Sequence, residues 1–311
     1  MPSQMIQFLR KVVSRLFYPI NPYWTASIYG FGKWIRRYGY YPPMLPLCIY
    51  TDHGPGDTGP SDHEIRSTAP VQFYHSPDGV VRWRANYTKP CFVLYSPFVF
   101  ARKCLQINRH DDAEGTLFFV AHSTESISDL KSVEMYHQEL SLLHERFKPV
   151  TICMHMHDIN KGLGAYYKKL GYTVVSAGDS LDQAFAERFY RILARHRYAL
   201  SNIFGSYALY AVEMGVPFGL YGSPPSYFNV SDENVERGEY KSYQSTEYYK
   251  TAVKLFAGLP EEQISKEAHD FVVRYLGITD GISRYEMAKV LYGSFFRWGC
   301  DRMLSVLSLR K

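Results

Sequence analysis

Cysteine is scarce in this chain, and the placement of its cysteines excludes two classes of protein. The five are odd in number and scattered, with no Cys-x-x-Cys pair: Cys48, Cys91, Cys104, Cys153 and Cys300. Disulfide-framed secreted domains and zinc modules both use closely spaced, paired cysteines. We therefore expect a protein of a reducing compartment.

Long apolar runs are missing as well. The longest uncharged stretches, 16–32 and 214–231, carry Pro, Gly and Asn at intervals, so neither predicts a membrane span. Near the start, Arg10, Lys11 and Arg15 interrupt what would have to be the apolar region of a secretory signal. The expected location is the cytoplasm.

Charge of one sign is not in large excess. The net charge is only +5, whereas nucleic-acid-binding proteins usually carry a stronger concentration of basic residues. We therefore expect no nucleic-acid partner. Both ends, 6–16 and 291–311, mix apolar residues at helical spacing with Arg and Lys. Helices of this kind lie on membranes or pack on the protein body. Contact with the cytoplasmic face of the inner membrane stays open at this stage.

The pattern along the chain predicts an α/β fold with two domains. The apolar segments 45–51, 71–75 and 91–95 are strand candidates, and the polar stretch 102–114 suits a linker. Strands and helices then alternate, which is typical of a parallel sheet. The expected strands are 116–121, 150–155, 172–177, 198–201 and 216–221, and the expected helices are 128–146, 159–170, 181–197 and 205–214.

The segment 201–222, SNIFGSYALYAVEMGVPFGLYG, predicts a strand end, a glycine turn and a helix that opens at Gly205 and Ser206. Unpaired backbone N–H groups and a partial positive charge at a helix N-terminus favour phosphate. His122, Ser123 and Thr124 follow the strand 116–121 at the same sheet edge. The predicted phosphate-binding set is His122, Ser123, Thr124, Ser201, Gly205, Ser206 and Tyr210. For His122, a capping or buried structural role is the alternative.

A second polar loop, Asp52-His53-Gly54, follows the apolar segment 45–51. Asp52 or His53 could act as general base toward an acceptor hydroxyl, and the alternative is a solvated acidic turn.

His155 and His157 form a weak metal-ligand pattern. We nevertheless predict no metal requirement and no cofactor.

The chain resembles the C-terminal half of GT-B glycosyltransferases and the related non-hydrolysing UDP-N-acetylglucosamine 2-epimerases. The resemblance rests on FFVAHSTES and the segment 201–222, within about residues 115 to 222. In that superfamily a His loop, matched by His122, lies near the nucleotide phosphates. A later strand–turn–helix ending in Gly-x-Pro, matched by Gly215-Val216-Pro217, encloses the diphosphate and ribose.

Two departures from the family pattern are visible. Leu209 and Tyr210 stand where many members have the Glu that holds the ribose hydroxyls. Ser123 replaces the Arg of the epimerase pattern HRxEN, which counts against epimerase activity.

The resemblance implies two Rossmann-like domains around a central cleft, the first one reduced. Residues 1–112, with an amphipathic first helix, would bind the acceptor, and residues 113–311, with the C-terminal helices, would bind a nucleotide-sugar. The implied function is a hexosyl- or CMP-sugar-type glycosyltransferase that builds bacterial surface polysaccharide or lipopolysaccharide on a glycan or lipid-linked acceptor. Two alternatives remain: a non-catalytic glycan- or nucleotide-binding protein on the same scaffold, and a polyol-phosphate transferase.

Overall fold

Two parallel β-sheets form the framework of the protein. The computed structural model describes residues 21–56, 59–121, 127–129, 131, 133–229, 238–239 and 246–308. Its strands are β1 (Tyr50–Thr51), β2 (Gln72–Tyr74), β3 (Cys91–Val93), β4 (Thr116–Phe119), β5 (Ile127–Asp129), β6 (Val150–Cys153), β7 (Thr173–Val175), β8 (Tyr198–Ser201), β9 (Phe218–Leu220), β10 (Tyr227–Asn229) and β11 (Gly238–Glu239).

The first sheet has the order β1-β2-β3, and the second has the order β7-β6-β4-β8-β9. All pairs within these two sheets are parallel. A third, antiparallel sheet has the order β11-β10-β5. The predicted fold class, α/β with two Rossmann-like units of which the first is small, is confirmed.

Helices flank both parallel sheets. They are α1 (Phe31–Tyr38), α2 (Asp62–Arg66), α3 (Pro77–Asn86), α4 (Pro97–Cys104), α5 (Val133–Ser141), α6 (Met156–Asn160), α7 (Leu163–Lys169), α8 (Phe185–Leu193), α9 (Ser206–Glu213), α10 (Glu247–Leu255), α11 (Lys266–Tyr275) and α12 (Arg284–Ser308). Because helices cover both faces of the second sheet, its central strand β4 is buried at every position, and all of its residues but Thr116 are apolar.

Serine caps explain where several helices begin. Ser76 and Ser96 accept hydrogen bonds from the backbone N–H groups of Gly79 and Val99, and a proline follows each serine at the first helical position. Ser–Pro is a strong helix start because the proline lacks only an N–H that would have no helical partner. Ser76 and Ser96 thus mark the starts of α3 and α4, two helices that the sequence prediction did not include.

Three predicted elements need correction. The expected helix 128–146 is wrong at its start, where Ile127–Asp129 is a strand paired with Tyr227–Asn229. The expected helix 159–170 is broken at Gly162, whose φ of 86° is left-handed. The expected linker 102–114 begins with the last turn of α4. The predicted first helix, 6–16, lies outside the described residues.

The last part of the chain returns to the first sheet. The backbone N–H of Ser96 donates to Leu276 O (3.0 Å), and that of Ile282 donates to Val93 O (3.1 Å). On α12, Met287 and Leu291 are buried beside Gly39, where a Cβ atom would approach both to 2.8 Å. The predicted boundary at 112–113 therefore falls between the two sheets, but helices assigned to the second domain pack on the first.

Within the described ranges, no helix has both the length and the apolar character that crossing a membrane requires.

Candidate functional site

A cavity of about 440 Å³ lies where the carboxyl ends of the two parallel sheets face each other. The first sheet contributes the loop 52–54 after β1, and the second contributes residues that follow β4, β6, β7 and β8. Open α/β sheets bind their ligands at this edge. The cavity is therefore the candidate site.

The N-terminus of α9 forms one wall of the cavity. Gly205 and Ser206 both line it, and among the described residues no side chain caps the helix. The first backbone N–H groups of the helix are therefore left for a ligand or water. Gly205 leaves room for the Tyr207 ring, since a Cβ atom at position 205 would lie 2.6 Å from that ring and would require it to move.

Ser201 is predicted to bind phosphate, but its hydroxyl makes hydrogen bonds within the protein. It is fully buried and is not among the residues that line the cavity. Its hydroxyl lies 2.7 Å from Phe119 O, and it accepts a hydrogen bond from the backbone N–H of Ile203 (3.2 Å). Ser201 thus fixes the turn that presents Gly205 to the cavity.

Tyrosines of α9 form the inner surface of the cavity. Tyr210, predicted to bind phosphate, lines the cavity and stacks on Phe98 with 4.4 Å between ring centroids, and its part in phosphate binding stays a prediction. Burial raises the pKa of the Tyr210 hydroxyl. Tyr207, which the sequence prediction did not include, also lines the cavity and donates to Ile203 O at 2.7 Å. Because Phe98 belongs to α4, the Tyr210 stack joins the two halves of the protein.

The predicted His122, Ser123 and Thr124 lie outside the described residues. Val120, directly after β4, lines the cavity. Their part in the site remains a prediction.

Asp52 lies on the opposite wall and is held by a buried histidine. Its side chain accepts two hydrogen bonds from His75, from ring Nδ1 to Oδ1 at 2.6 Å and from the backbone N–H to Oδ2 at 3.0 Å. His75 is fully buried, and its Nε2 has no hydrogen-bond partner in the part of the chain that the structure describes. A hydrogen on Nδ1 is the arrangement that matches a carboxylate acceptor at 2.6 Å.

His53, the other predicted base, is exposed and lines the mouth of the cavity. Its ring lies near two aromatic rings, 5.7 Å from that of Trp24 and 5.9 Å from that of Tyr29. Aromatic faces of this kind offer an apolar surface to a ligand.

Glu64 is a second carboxyl group in the cavity, and the sequence prediction did not assign it. Only 6% of the residue is exposed. Its Oε2 accepts hydrogen bonds from Ser61 N (2.7 Å) and from the Tyr74 hydroxyl (3.1 Å). Burial, with a contribution from Asp52, raises the pKa of Glu64 to about 7, although the hydrogen bonds from Ser61 and Tyr74 lower it. The Ser-x-x-Glu spacing of the α2 capping box is the signal that could have drawn attention to it.

His155 and His157, considered as metal ligands, lie at the start of α6, where His155 caps the helix. His155 begins α6 and its Nδ1 accepts from the backbone N–H of His157 (3.3 Å), while the two rings stack at 4.8 Å. Across the described ranges, no cluster of three or more His, Cys, Asp or Glu side chains is arranged to hold a metal. His155 also lines the cavity, as does Arg82 from the opposite side.

No protein-family model and no curated protein matches this chain. The solved structures to which it is similar include the wall teichoic acid polymerase TagF with CDPG, at 11% identity and a TM-score of 0.36, over 74% of this chain and 57% of that one. MnaA of S. aureus with UDP is 10% identical with a TM-score of 0.36, over 70% of this chain and 55% of that one. The UDP-GlcNAc 2-epimerase of Neisseria meningitidis with UDP-GlcNAc is 10% identical with a TM-score of 0.37, over 78% of this chain and 69% of that one. The chain thus spans little more than half the length of the first two. At such identities and TM-scores these likenesses assign neither an activity nor a residue role.

Proposed function

We propose that the protein is a glycosyltransferase that moves a sugar from a nucleotide-sugar donor to a hydroxyl group of a surface polysaccharide or lipopolysaccharide acceptor. One observation supports this most directly. A single cavity has an uncapped helix N-terminus on one wall and the carboxyl groups of Asp52 and Glu64 on the other. The first wall suits a phosphate, and the second suits a hydroxyl that must lose a proton.

On the donor side, Gly205 and Ser206 would hold the phosphate, together with the predicted His122, Ser123 and Thr124. Negative charge grows on the phosphate as the nucleotide leaves, so the helix N-terminus stabilises the transition state more than the bound donor. In this proposal the helix supplies that stabilisation, and neither a metal nor a cofactor takes part.

On the acceptor side, the carboxyl wall would take up the proton of the attacking hydroxyl. Asp52 is held in one orientation by its two hydrogen bonds to His75, which favours a fixed geometry for the acceptor. Closure of the two halves would exclude water and limit hydrolysis of the donor. We place this reaction at the cytoplasmic face of the inner membrane, where lipid-linked acceptors are accessible.

A thermal-shift screen tests the proposal. The purified protein is screened against CMP, UDP, GDP, dTDP and CDP, with and without a divalent metal. We expect one nucleotide to raise the melting temperature without metal. A protein stabilised by none of them would contradict the proposal, and one that binds but never transfers would be a binding protein. A product that retains a phosphodiester would identify a polyol-phosphate transferase instead.

Ser206→Ala sharpens this test. Loss of a hydroxyl bonded to a charged phosphate should weaken nucleotide binding about 10-fold or more, since such bonds contribute about 1.5–3 kcal/mol. The melting temperature of the unliganded protein should change little. Ser141→Ala, at an exposed serine on α5, is the matched control and should bind like the wild type. Equal affinity of both variants would remove Ser206 from the site.

A further inference from the structure

We propose that Glu64 is the residue that accepts the proton of the acceptor hydroxyl, while Asp52, fixed by His75, orients that hydroxyl. This inference rests on the proposed transferase function. It reassigns the proton acceptor from the residues predicted by sequence, Asp52 and His53, to a residue of the neighbouring helix α2.

The hydrogen bonds described for Glu64 concentrate on one of its oxygens. The carboxyl group accepts from Ser61 N (2.7 Å) and from the Tyr74 hydroxyl (3.1 Å), both on Oε2, and the Ser61 side chain also interacts with it. Among the described residues no measured hydrogen bond ends on Oε1, and Glu64 lines the cavity. A carboxyl group fixed through one oxygen in this way suits a general base.

The hydrogen bonds of Asp52 engage both of its oxygens. Oδ1 lies 2.6 Å from His75 Nδ1, and Oδ2 accepts the backbone N–H of the same residue at 3.0 Å. A proton delivered to either oxygen would weaken one of these contacts, and the buried His75 has no described alternative partner for its ring. Asp52 is therefore better suited to accept a hydrogen bond from the hydroxyl than to remove its proton.

The electrostatic surroundings of Glu64 match this role. Burial raises its pKa to about 7, so that near neutral pH it exchanges protons readily. The titratable groups that interact with it come from the three strands of the first sheet and from the loop after β1, and two further charged or titratable groups line the same cavity. These groups are Tyr50, Asp52, Tyr74 and Cys91, followed by His53 and Arg82. Asp52 adds to the effect of burial, because a second negative charge nearby disfavours ionisation.

The step balances as follows. The acceptor oxygen forms a bond to the anomeric carbon of the donor sugar, and its proton passes to Glu64 Oε1. The bond between that carbon and the phosphate oxygen breaks, and its electron pair leaves with the nucleotide at the N-terminus of α9. Glu64 then returns the proton to solvent.

The experiment compares Glu64→Gln with Asp52→Asn in the full chain. Nucleotide release from UDP-, GDP- and CMP-sugars is measured between pH 5 and 9, with a panel of p-nitrophenyl glycosides as acceptors. Gln at position 64 still satisfies the capping box of α2, so the fold should be kept. We expect Glu64→Gln to keep the nucleotide-induced thermal shift, to lose about 100-fold or more in turnover, and to lose the rise of activity with pH near 7.

Tyr74→Phe is the matched control. It removes a hydrogen bond that lowers the pKa of Glu64, while the carboxyl group stays. The rise of activity with pH should therefore move to higher pH, with most of the turnover retained. A merely structural role for Glu64 would not produce this displacement.

Two results would overturn the inference, and they are distinguishable. If Glu64→Gln turns over normally while Asp52→Asn is inactive, Asp52 is the base and the transferase function stands. If the wild-type protein neither binds a nucleotide nor releases one from any donor, the proposed function fails and the role of Glu64 fails with it.

Discussion

At the scale of single residues, two carboxyl groups in the cavity differ in their hydrogen bonds and in their burial. Asp52 and Glu64 are both carboxyl groups on the wall formed by the first sheet. Asp52 accepts hydrogen bonds from one buried histidine on both of its oxygens, whereas the measured hydrogen bonds to Glu64 end on Oε2 alone and burial raises its pKa. Pairs of carboxyl groups with contrasting environments are typical of sites that move protons.

Glu64 should also make the stability of the protein depend on pH. Its pKa is raised from an ordinary value of 4.5 to about 7, so the folded state holds a proton that the unfolded state releases. The contribution is fully present below about pH 4.5 and is lost as the pH rises through 7. Glu64→Gln should therefore be more stable, relative to the wild type, at pH 8 than at pH 5, by on the order of 2 kcal/mol.

Urea unfolding at pH 5 and pH 8 measures this difference. Glu261→Gln, at an exposed glutamate, is the control and should show no such change between the two pH values. A Glu64→Gln variant whose relative stability is the same at both pH values would show that the carboxyl group is not desolvated in solution.

At the scale of elements, the sequence predicts elements that depend on local signals better than elements that depend on long-range strand pairing. The sequence predicts β8, α9 and β9 well, because apolar runs separated by Gly205 and Gly215 fix each boundary locally. It misplaces β5, whose strand conformation depends on pairing with β10 far along the chain. The surroundings of Glu64 likewise depend on residues outside α2, since the Tyr74 hydroxyl donates to its carboxyl group and Asp52 helps to raise its pKa.

Helices α4 and α9 are joined across the two halves by a buried ion pair. Arg102 donates to both carboxylate oxygens of Glu213, at 2.9 and 2.6 Å, and the two side chains are only 12% and 6% exposed. Glu213→Gln should lower the free energy of unfolding by on the order of 3 kcal/mol, because it leaves the guanidinium buried without its counter-charge.

The matched control for that pair is Glu187→Gln on α8. Glu187 pairs with Arg191 one turn away, and that arginine side chain is 58% exposed. Its loss should cost under about 1 kcal/mol. Chemical denaturation of both variants measures the comparison, and equal losses would mean that the Arg102–Glu213 pair does not brace the two halves.

At the scale of the whole molecule, much of one face of α12 is exposed, although Tyr292 on that face packs against Tyr41 and donates to Tyr40 O (3.3 Å). Its exposed apolar residues are Tyr285, Tyr292, Phe296, Met303 and Leu304. The steps of seven, four and seven residues from Tyr285 to Met303 keep four of them on one side of the helix. Such a face, with Lys289 and Arg297 on the same helix, is typical of a helix that lies on an anionic membrane surface.

We therefore expect the protein to sediment with vesicles that contain phosphatidylglycerol. The double substitution Phe296→Asp with Met303→Asp should abolish this binding and leave nucleotide binding intact. Leu142→Asp, at a residue 80% exposed on another part of the surface, should bind vesicles like the wild type. Wild-type protein that stays in the supernatant at low salt would contradict the expectation.

The return of residues 276–282 to strand β3 also bears on how the protein is made. Leu276 O and Ile282 N–H bond to the edge of the first sheet, beside Gly277, where a Cβ atom would lie 2.3 Å from Leu94 O. The ribosome therefore releases the first sheet long before the segment that completes it. The contacts that residues 276–282 make with the first sheet can form only after the second sheet and α11 have also been synthesised.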